Sequence, residues 1–264
     1  MILVFDVGNT ETTIGLFDGE RLNAHWRLVT DSGRTPDEID LQLRALLASR
    51  EVAISAVTGT AIGSVVPALT PQLSEACQGL FGTTPVIVDS RSPLPITLDV
   101  LEPLTVGADR IVNTLAASRL YQRDTIVVDL GTATTFDCIT ADGVFLGGVI
   151  APGMRTSAET LFRRTSKLPA TELQAPERVI GRRTEECIRA GVVFGTAEAV
   201  DGIVRRIKRE WPTGREPLVV ATGGLAPLIQ PHCSEIERVD PDLTLVGLRL
   251  AYGIISEQNE PPAA

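Results

Sequence analysis

The sequence predicts an α/β protein made of two similar domains facing each other, and three observations carry that expectation. Short apolar runs broken by turn residues open the chain as three strands in hairpin order. A similar passage returns near mid-chain, and helical segments alternate with short buried runs elsewhere.

The opening passage runs Ile2 to Val7, Gly8-Asn9-Thr10, Thr12 to Phe17, Asp18-Gly19, then a third run through Trp26. Its counterpart runs Ile126 to Thr135, Phe136 to Thr140, the turn Ala141-Asp142-Gly143, and Val144 to Ile150. Setting Asp6 on Asp129, an offset of 123, also sets Gly8 on Gly131 and Thr12 on Thr135. One inserted residue then brings Asp18-Gly19 onto Asp142-Gly143. The recurrence of strand, acid, glycine, hydroxyl-rich turn, strand and Asp-Gly turn in one order marks an internal repeat. The expected domains are residues 1–118 and 119–264.

Between these passages, Pro36 to Leu47 has acids in its first turn and apolar residues at helical spacing, which predicts an amphipathic helix. Ile54 to Val57 and Val86 to Val88 read as short buried strands. Around Pro93 and Pro95 the chain must extend or turn, because the residue before proline is pushed out of the helical region. Ala108 to Tyr121 is helical in pattern. Glu185 to Arg209 predicts one or more helices, weakened locally by Gly191, Gly195 and Gly202. Leu218 to Ala221 is a buried strand that ends at Thr222-Gly223-Gly224, Thr244 to Ile255 is a helix, and Gln258 to Ala264 is a frayed tail.

Composition narrows the function. The 264 residues include 33 acids against 24 bases, a net charge of −9, which repels a phosphate backbone and argues against nucleic acid as a partner. Only Lys167 and Lys208 are lysines, so neither the phosphate-loop lysine nor the kinase strand lysine is present in its motif. Backbone amides, hydroxyls, arginines or metal must then handle phosphate. Cys77, Cys138, Cys187 and Cys233 form no C-x-x-C pair and read as reduced, mostly buried thiols. His25 and His232 are too few for a multi-histidine zinc site. The first residues carry no basic leader and no apolar run approaches the ~18 residues of a membrane span, so a soluble cytoplasmic protein is expected.

Four features converge on phosphoryl transfer. In Asp6-Val7-Gly8-Asn9-Thr10 an acid ends a buried strand and a small-residue turn offers amides and a hydroxyl to an anion. Asp129-Leu130-Gly131-Thr132-Ala133-Thr134-Thr135 repeats the device with more hydroxyls. Ala221-Thr222-Gly223-Gly224 offers a side-chain-free surface to adenine and ribose. Gly107-Ala108-Asp109-Arg110, at a helix start, pairs a carboxylate able to accept an alcohol's proton with a guanidinium able to hold a substrate carboxylate.

Together these residues resemble the acetate-kinase, hexokinase, Hsp70 and actin superfamily. Within it, Asp6 to Thr10, Ser64-Val65-Val66-Pro67, Gly107 to Arg110, Asp129 to Thr135, Gly147-Gly148-Val149-Ile150-Ala151-Pro152-Gly153 and Ala221 to Gly224 are similar to the motifs of type III pantothenate kinases, in order from residue 2 to about 253. The resemblance implies two ribonuclease-H-like (actin-like ATPase) domains, each a mixed five-stranded sheet with helices, facing across a cleft. It implies ATP-dependent phosphorylation of pantothenate, the first step of coenzyme A synthesis, by a homodimer using magnesium and a monovalent cation, potassium or ammonium.

The family's catalytic base falls on Asp109. Its nucleotide segment falls on Asp6, Val7, Gly8, Asn9, Thr10, Glu11, Thr12 and Thr13, with Thr132, Gly223 and Gly224. Asp129 takes the place of the monovalent-cation ligand, and Asp6 that of the acid holding magnesium through water. Substrate contacts fall on Val100, Gly107, Ala108, Asp109, Arg110 and Thr184, the last reaching the partner subunit's pocket. Val100 stands where the family usually carries a tyrosine. Two alternatives stay open: a kinase of the superfamily with another small hydroxyl acceptor, and a non-catalytic regulator keeping the fold.

Overall fold

A computed structural model describes residues 1–259. In chain order the elements begin with β1 (Ile2–Val7), β2 (Glu11–Asp18), β3 (Arg21–Val29), α1 (Pro36–Ala48), β4 (Gly59–Ser64), α2 (Thr70–Phe81), β5 (Val86–Val88), β6 (Thr97–Leu98) and α3 (Ala108–Tyr121). They continue with β7 (Thr125–Leu130), β8 (Ala133–Ile139), β9 (Val144–Pro152), α4 (Met154–Arg164), α5 (Thr184–Glu210), β10 (Leu218–Thr222), a short α6 (Ala226–Ile229), β11 (Arg238–Val239) and α7 (Leu243–Asn259). The chain divides into two compact units. The first comprises residues 1–96, 101–116 and the chain from Leu243; the second comprises 97–100 and 117–242.

The first unit holds a five-stranded sheet in the order β3-β2-β1-β4-β5, antiparallel through its opening meander and parallel from β1 to β4 and β5. Leu3, Phe5, Val7, Ile14 and Leu16 turn one face onto Ile39, Leu43 and Leu47 of α1 and Leu73, Cys77 and Leu80 of α2. Helix α1 starts at a reciprocal cap in which Thr35 accepts from the Glu38 amide and Glu38 accepts from the Thr35 amide. The opposite face lies under α7, whose Leu245, Leu248 and Tyr252 reach Gly15, Gly63 and Gly59. Burial on both faces is why β1 reads as an unbroken apolar run instead of an alternating one.

The second unit repeats the plan, with the order β11-β10-β7-β8-β9-β6. Removing β6 leaves a meander, β7-β8-β9, with β10 parallel to β7 and β11 beyond it, as β4 and β5 stand to β1. Five strands were expected here. The sixth arises because Thr97–Leu98 pairs parallel with Val144 and Phe145 at the edge of β9. Ile126, Val128 and Leu130 pack with Ile188, Val192, Val193, Ala197, Val200 and Val204 of α5.

Helix α5 is one 27-residue helix in spite of its three glycines, which have open space where a Cβ would stand. The expected strand at Ile54 to Val57 is instead a single 3-10 turn over Ile54–Ala56, and the strand lies at Gly59–Ser64. That strand's composition, Gly-Thr-Ala-Ile-Gly-Ser, hides it: α7's large side chains fill the space that β-branched residues usually occupy. Helix α2 also went unrecognised in the sequence. The expected frayed tail is helical at Gln258, whose amide donates to the Pro93 carbonyl at 3.3 Å; residues 260–264 lie outside the described chain. His25 and His232 are both exposed, Cys77 and Cys138 are buried, and Cys187 is exposed. No described helix is long and apolar enough to cross a membrane.

The packing predicts opposite outcomes for two Gly→Ala changes. A Cβ at Gly59 would enter the Tyr252 ring, so Gly59→Ala should cost about 1–3 kcal/mol. Gly195 meets nothing within 4 Å in mid-helix, so Gly195→Ala should add about 0.5–1 kcal/mol. Thermal unfolding of both variants beside the wild type checks the pair.

Candidate active site

In the first unit the chemistry gathers at the carboxyl ends of the parallel strands, where α/β sheets place ligands. Asp6 and Val7 end β1, pairing with Thr13 and Thr12 across the hairpin and with Gly63 and Ser64 of β4. The turn Gly8-Asn9-Thr10-Glu11 closes through the Gly8 amide, which donates to the Glu11 carbonyl at 3.1 Å. Thr30, just beyond β3, braces it from outside. Its hydroxyl donates to the Gly8 carbonyl at 2.7 Å, its amide donates to the Thr10 carbonyl at 3.0 Å, and its hydroxyl also meets that of Thr12 at 2.8 Å.

Beside this turn, Val65 continues β4 by donating its amide to the Val7 carbonyl at 3.0 Å, and Gly107 packs against the Val65 side chain. Gly107 leads into α3, so Ala108, Asp109 and Arg110 form that helix's first turn near the β4 end. The Asp109 carboxylate accepts the Arg110 amide at 2.8 Å. Burial pushes its pKa up from the ordinary aspartate value, against the opposing pull of the Arg110 amide and guanidinium charge. A carboxylate made more basic by desolvation and held at a strand end is fitted to receive a proton.

In the second unit the same place is occupied by Asp129, which ends β7 opposite Thr135 of β8 and beside Thr222 of β10. The turn Gly131-Thr132 closes through the Gly131 amide, which donates to the Ala133 carbonyl at 3.0 Å. The first turn spans four residues between Val7 and Thr12; this one spans three between Leu130 and Thr134. The expected alignment of Thr12 with Thr135 is therefore one residue out. Paired to their acids, Thr13 and Thr135 correspond, and the length difference lies inside the turn.

Gly223 sits against the end of β7. Its φ is +87°, and a Cβ there would lie 2.6 Å from Asp129 Oδ1 and 2.9 Å from the Leu130 amide nitrogen. Glycine is required twice over, by backbone conformation and by space. Exposed Gly224 follows it. The structure thus brings Asp129, Thr132 and the Gly-Gly turn together within one unit, as it brings the Asp6 turn and Asp109 together within the other.

Two expected substrate residues lie on other elements. Val100 follows β6, its side chain 3.5 Å from where a Cβ on Gly147 would stand. Thr184 opens α5 as an exposed residue, its helix entry fixed by Glu186, which accepts the Arg182 amide at 2.8 Å and the Arg183 amide at 3.3 Å. Sequence reasoning missed two single hydroxyls with no motif around them, Thr30 and Thr156, the latter donating from the start of α4 to the Thr132 carbonyl at 2.7 Å.

Paired strand-end acids, hydroxyl-rich glycine turns and duplicated sheets define a member of the actin-like ATPase and sugar-kinase fold class. Two solved structures share this fold. One is a conserved putative Baf family transcriptional activator from Campylobacter jejuni (TM-score 0.60, 18% identity, covering 98% of this chain and 100% of that one). The other is a putative N-acetylglucosamine kinase from Porphyromonas gingivalis (TM-score 0.52, 14% identity, covering 95% and 98%). Sequence carries the assignment further. The family model described as type III pantothenate kinase matches residues 2–206, and a type III pantothenate kinase from Thermomicrobium roseum is 47% identical over 252 residues, 96% of each chain. The chain belongs to the type III pantothenate kinase family.

The contact between Gly223 and Asp129 yields a direct expectation. Gly223→Ala forces either a strained left-handed alanine or displacement of the Asp129 turn, and should lower stability by about 1–3 kcal/mol. Thermal unfolding beside the wild type measures it.

Proposed function

We propose that this chain phosphorylates pantothenate with ATP, giving 4′-phosphopantothenate and opening coenzyme A synthesis. Family membership supports the substrate, and the observation that carries the mechanism is Asp109: a carboxylate made basic by burial, in the same unit as a phosphate-type turn.

In this reading the amides and hydroxyls of the Gly8 to Thr13 segment and of Thr132 hydrogen-bond the nucleotide phosphates, and the Gly223-Gly224 turn accepts the adenosine. Arg110 holds the pantothenate carboxylate. Asp109 orients the primary hydroxyl and takes its proton as that oxygen bonds to the γ-phosphorus, while the bond to the β-bridging oxygen breaks and ADP leaves. Catalysis is then mostly positioning and charge neutralisation.

Asp6 and Asp129 offer hard carboxylate oxygens, the donor type that magnesium and potassium accept. No group of three or more His, Cys, Asp or Glu suited to a metal occurs among the described residues, so bound magnesium would draw its other ligands from phosphate and water. Asp6 would hold magnesium through water and Asp129 the monovalent cation; together they would offset the charge of the phosphates. Thr184 completes the pocket of the partner subunit in a homodimer, and the enzyme works in the cytoplasm without a nucleic acid or membrane partner.

ADP formation from MgATP, with and without pantothenate and in potassium against sodium buffer, tests the reading. Turnover that needs both pantothenate and potassium is expected; pantothenate-independent turnover would overturn the substrate assignment. Asp109→Asn should lower kcat by about 10²–10⁴ while leaving the fold intact. Because the base acts when ionised and its pKa is raised, the acid limb of the wild-type kcat/KM profile should lie above the ordinary aspartate value. A profile flat down to pH about 4 would remove Asp109 from the role.

A further inference from the structure

We infer that Thr30 and Thr156 are positioning residues that aim the backbone amides of the two phosphate turns, one from behind each turn. The inference rests on the nucleotide reading above and adds residues that no motif of the sequence marks.

The argument begins with peptide planarity. In a trans peptide the carbonyl of one residue and the amide N–H of the next point in opposite directions, so whatever fixes a carbonyl also fixes the following N–H. In the first turn Thr30 holds two carbonyls: its hydroxyl donates to Gly8, and its amide donates to Thr10 in continuation of the β2–β3 pairing. The N–H groups of Asn9 and Glu11 are thereby directed away from Thr30.

The second turn is held in the same way from another element. Thr156, in the first turn of α4, donates its hydroxyl to the Thr132 carbonyl at 2.7 Å, which directs the Ala133 N–H away from α4. Gly153, just before α4, lies against the same turn. A Cβ there would run into the Thr132 carbonyl and stand 2.6 Å from the Gly131 carbonyl, so backbone meets backbone and the Thr132 N–H is likewise aimed away.

Ala158 of α4 packs on the core of the second unit. Met154 is buried, but further along the helix Ser157, Thr160 and Leu161 border a cavity of about 680 Å³ whose far wall is Gly191, Gly195 and Thr196 of α5. The contacts of the helix with the turn lie at its start, where Thr156 and Gly153 meet it. Removal of one hydroxyl there should be felt at the turn more than in the fold.

Thr156→Val and Thr30→Val remove the two hydroxyl donors at nearly constant volume while leaving the Thr30 amide bond to Thr10 in place, and the matching serine variants restore the hydroxyls. MgADP affinity by calorimetric titration, KM for ATP and for pantothenate, kcat and the unfolding temperature are measured for each. Expected for Thr156→Val is a roughly 3- to 10-fold loss of MgADP affinity, the size of one lost hydrogen bond, with a matching rise in KM for ATP. The pantothenate KM should hold within twofold and Thr156→Ser should restore the wild-type value; Thr30→Val and Thr30→Ser should behave likewise in the first turn. If wild-type protein binds MgADP and both valine variants bind it equally well, the positioning role is overturned and the nucleotide reading stands. Losses that serine does not rescue, or that fall equally on pantothenate, also overturn it, since they mark a merely structural contact. Wild-type protein that does not bind MgADP would overturn both readings.

Discussion

Close approach of backbone to backbone at the strand ends is the constraint on which the site depends. Gly223 lies over Asp129 and Leu130, and Gly153 lies over the carbonyls of Gly131 and Thr132, at separations that leave no room for a Cβ. Each contact presses a neighbouring segment onto the turn after β7 and so fixes the direction of its peptide planes. In the proposed reading a phosphate is bound through directed amides and hydroxyls, and these contacts would set their direction before any ligand arrives. The first turn achieves the same end with hydrogen bonds from Thr30.

The repeated architecture follows from the same need. A meander of three strands with a parallel strand beside the first creates one strand end flanked by a hairpin turn and a crossover. Both units build this place, one with Asp6 and one with Asp129. They then diverge. The first adds Asp109 at the start of α3, where burial raises its basicity; the second adds the Gly223 turn, where a positive φ leaves a bare surface. In the proposed reading one unit carries the proton acceptor and the other the nucleoside-type turn, a division of labour on a common scaffold.

Much of this was legible in the sequence because strand, acid and glycine turn are local signals. The bounds of β1 and α3, the Asp-Gly turns and the grouping of Gly223 with Asp129 follow from runs and spacings that neighbours do not override. Strand β4 was not legible, since its glycines Gly63 and Gly59 answer to Leu248 and Tyr252, 185 and 193 residues later in the chain. The sixth strand was equally hidden: two residues, Thr97 and Leu98, pair with a strand edge whose availability no local pattern announces. The one-residue difference between the turns could not be read either, because both hairpins contain threonine on each side of the true register. Thr30 and Thr156 are single hydroxyls whose proposed role rests on the carbonyls they meet.

The central claim is that proton acceptance and phosphate binding are separate tasks of separate residues. Its most direct measurement is the affinity of the Asp109→Asn protein for MgATP, determined by calorimetric titration in potassium buffer. The account predicts affinity within about twofold of wild type, since the phosphates are held by turn amides and hydroxyls that this change leaves in place. A loss of nucleotide affinity in parallel with the loss of turnover would contradict it, and would make Asp109 part of the nucleotide site.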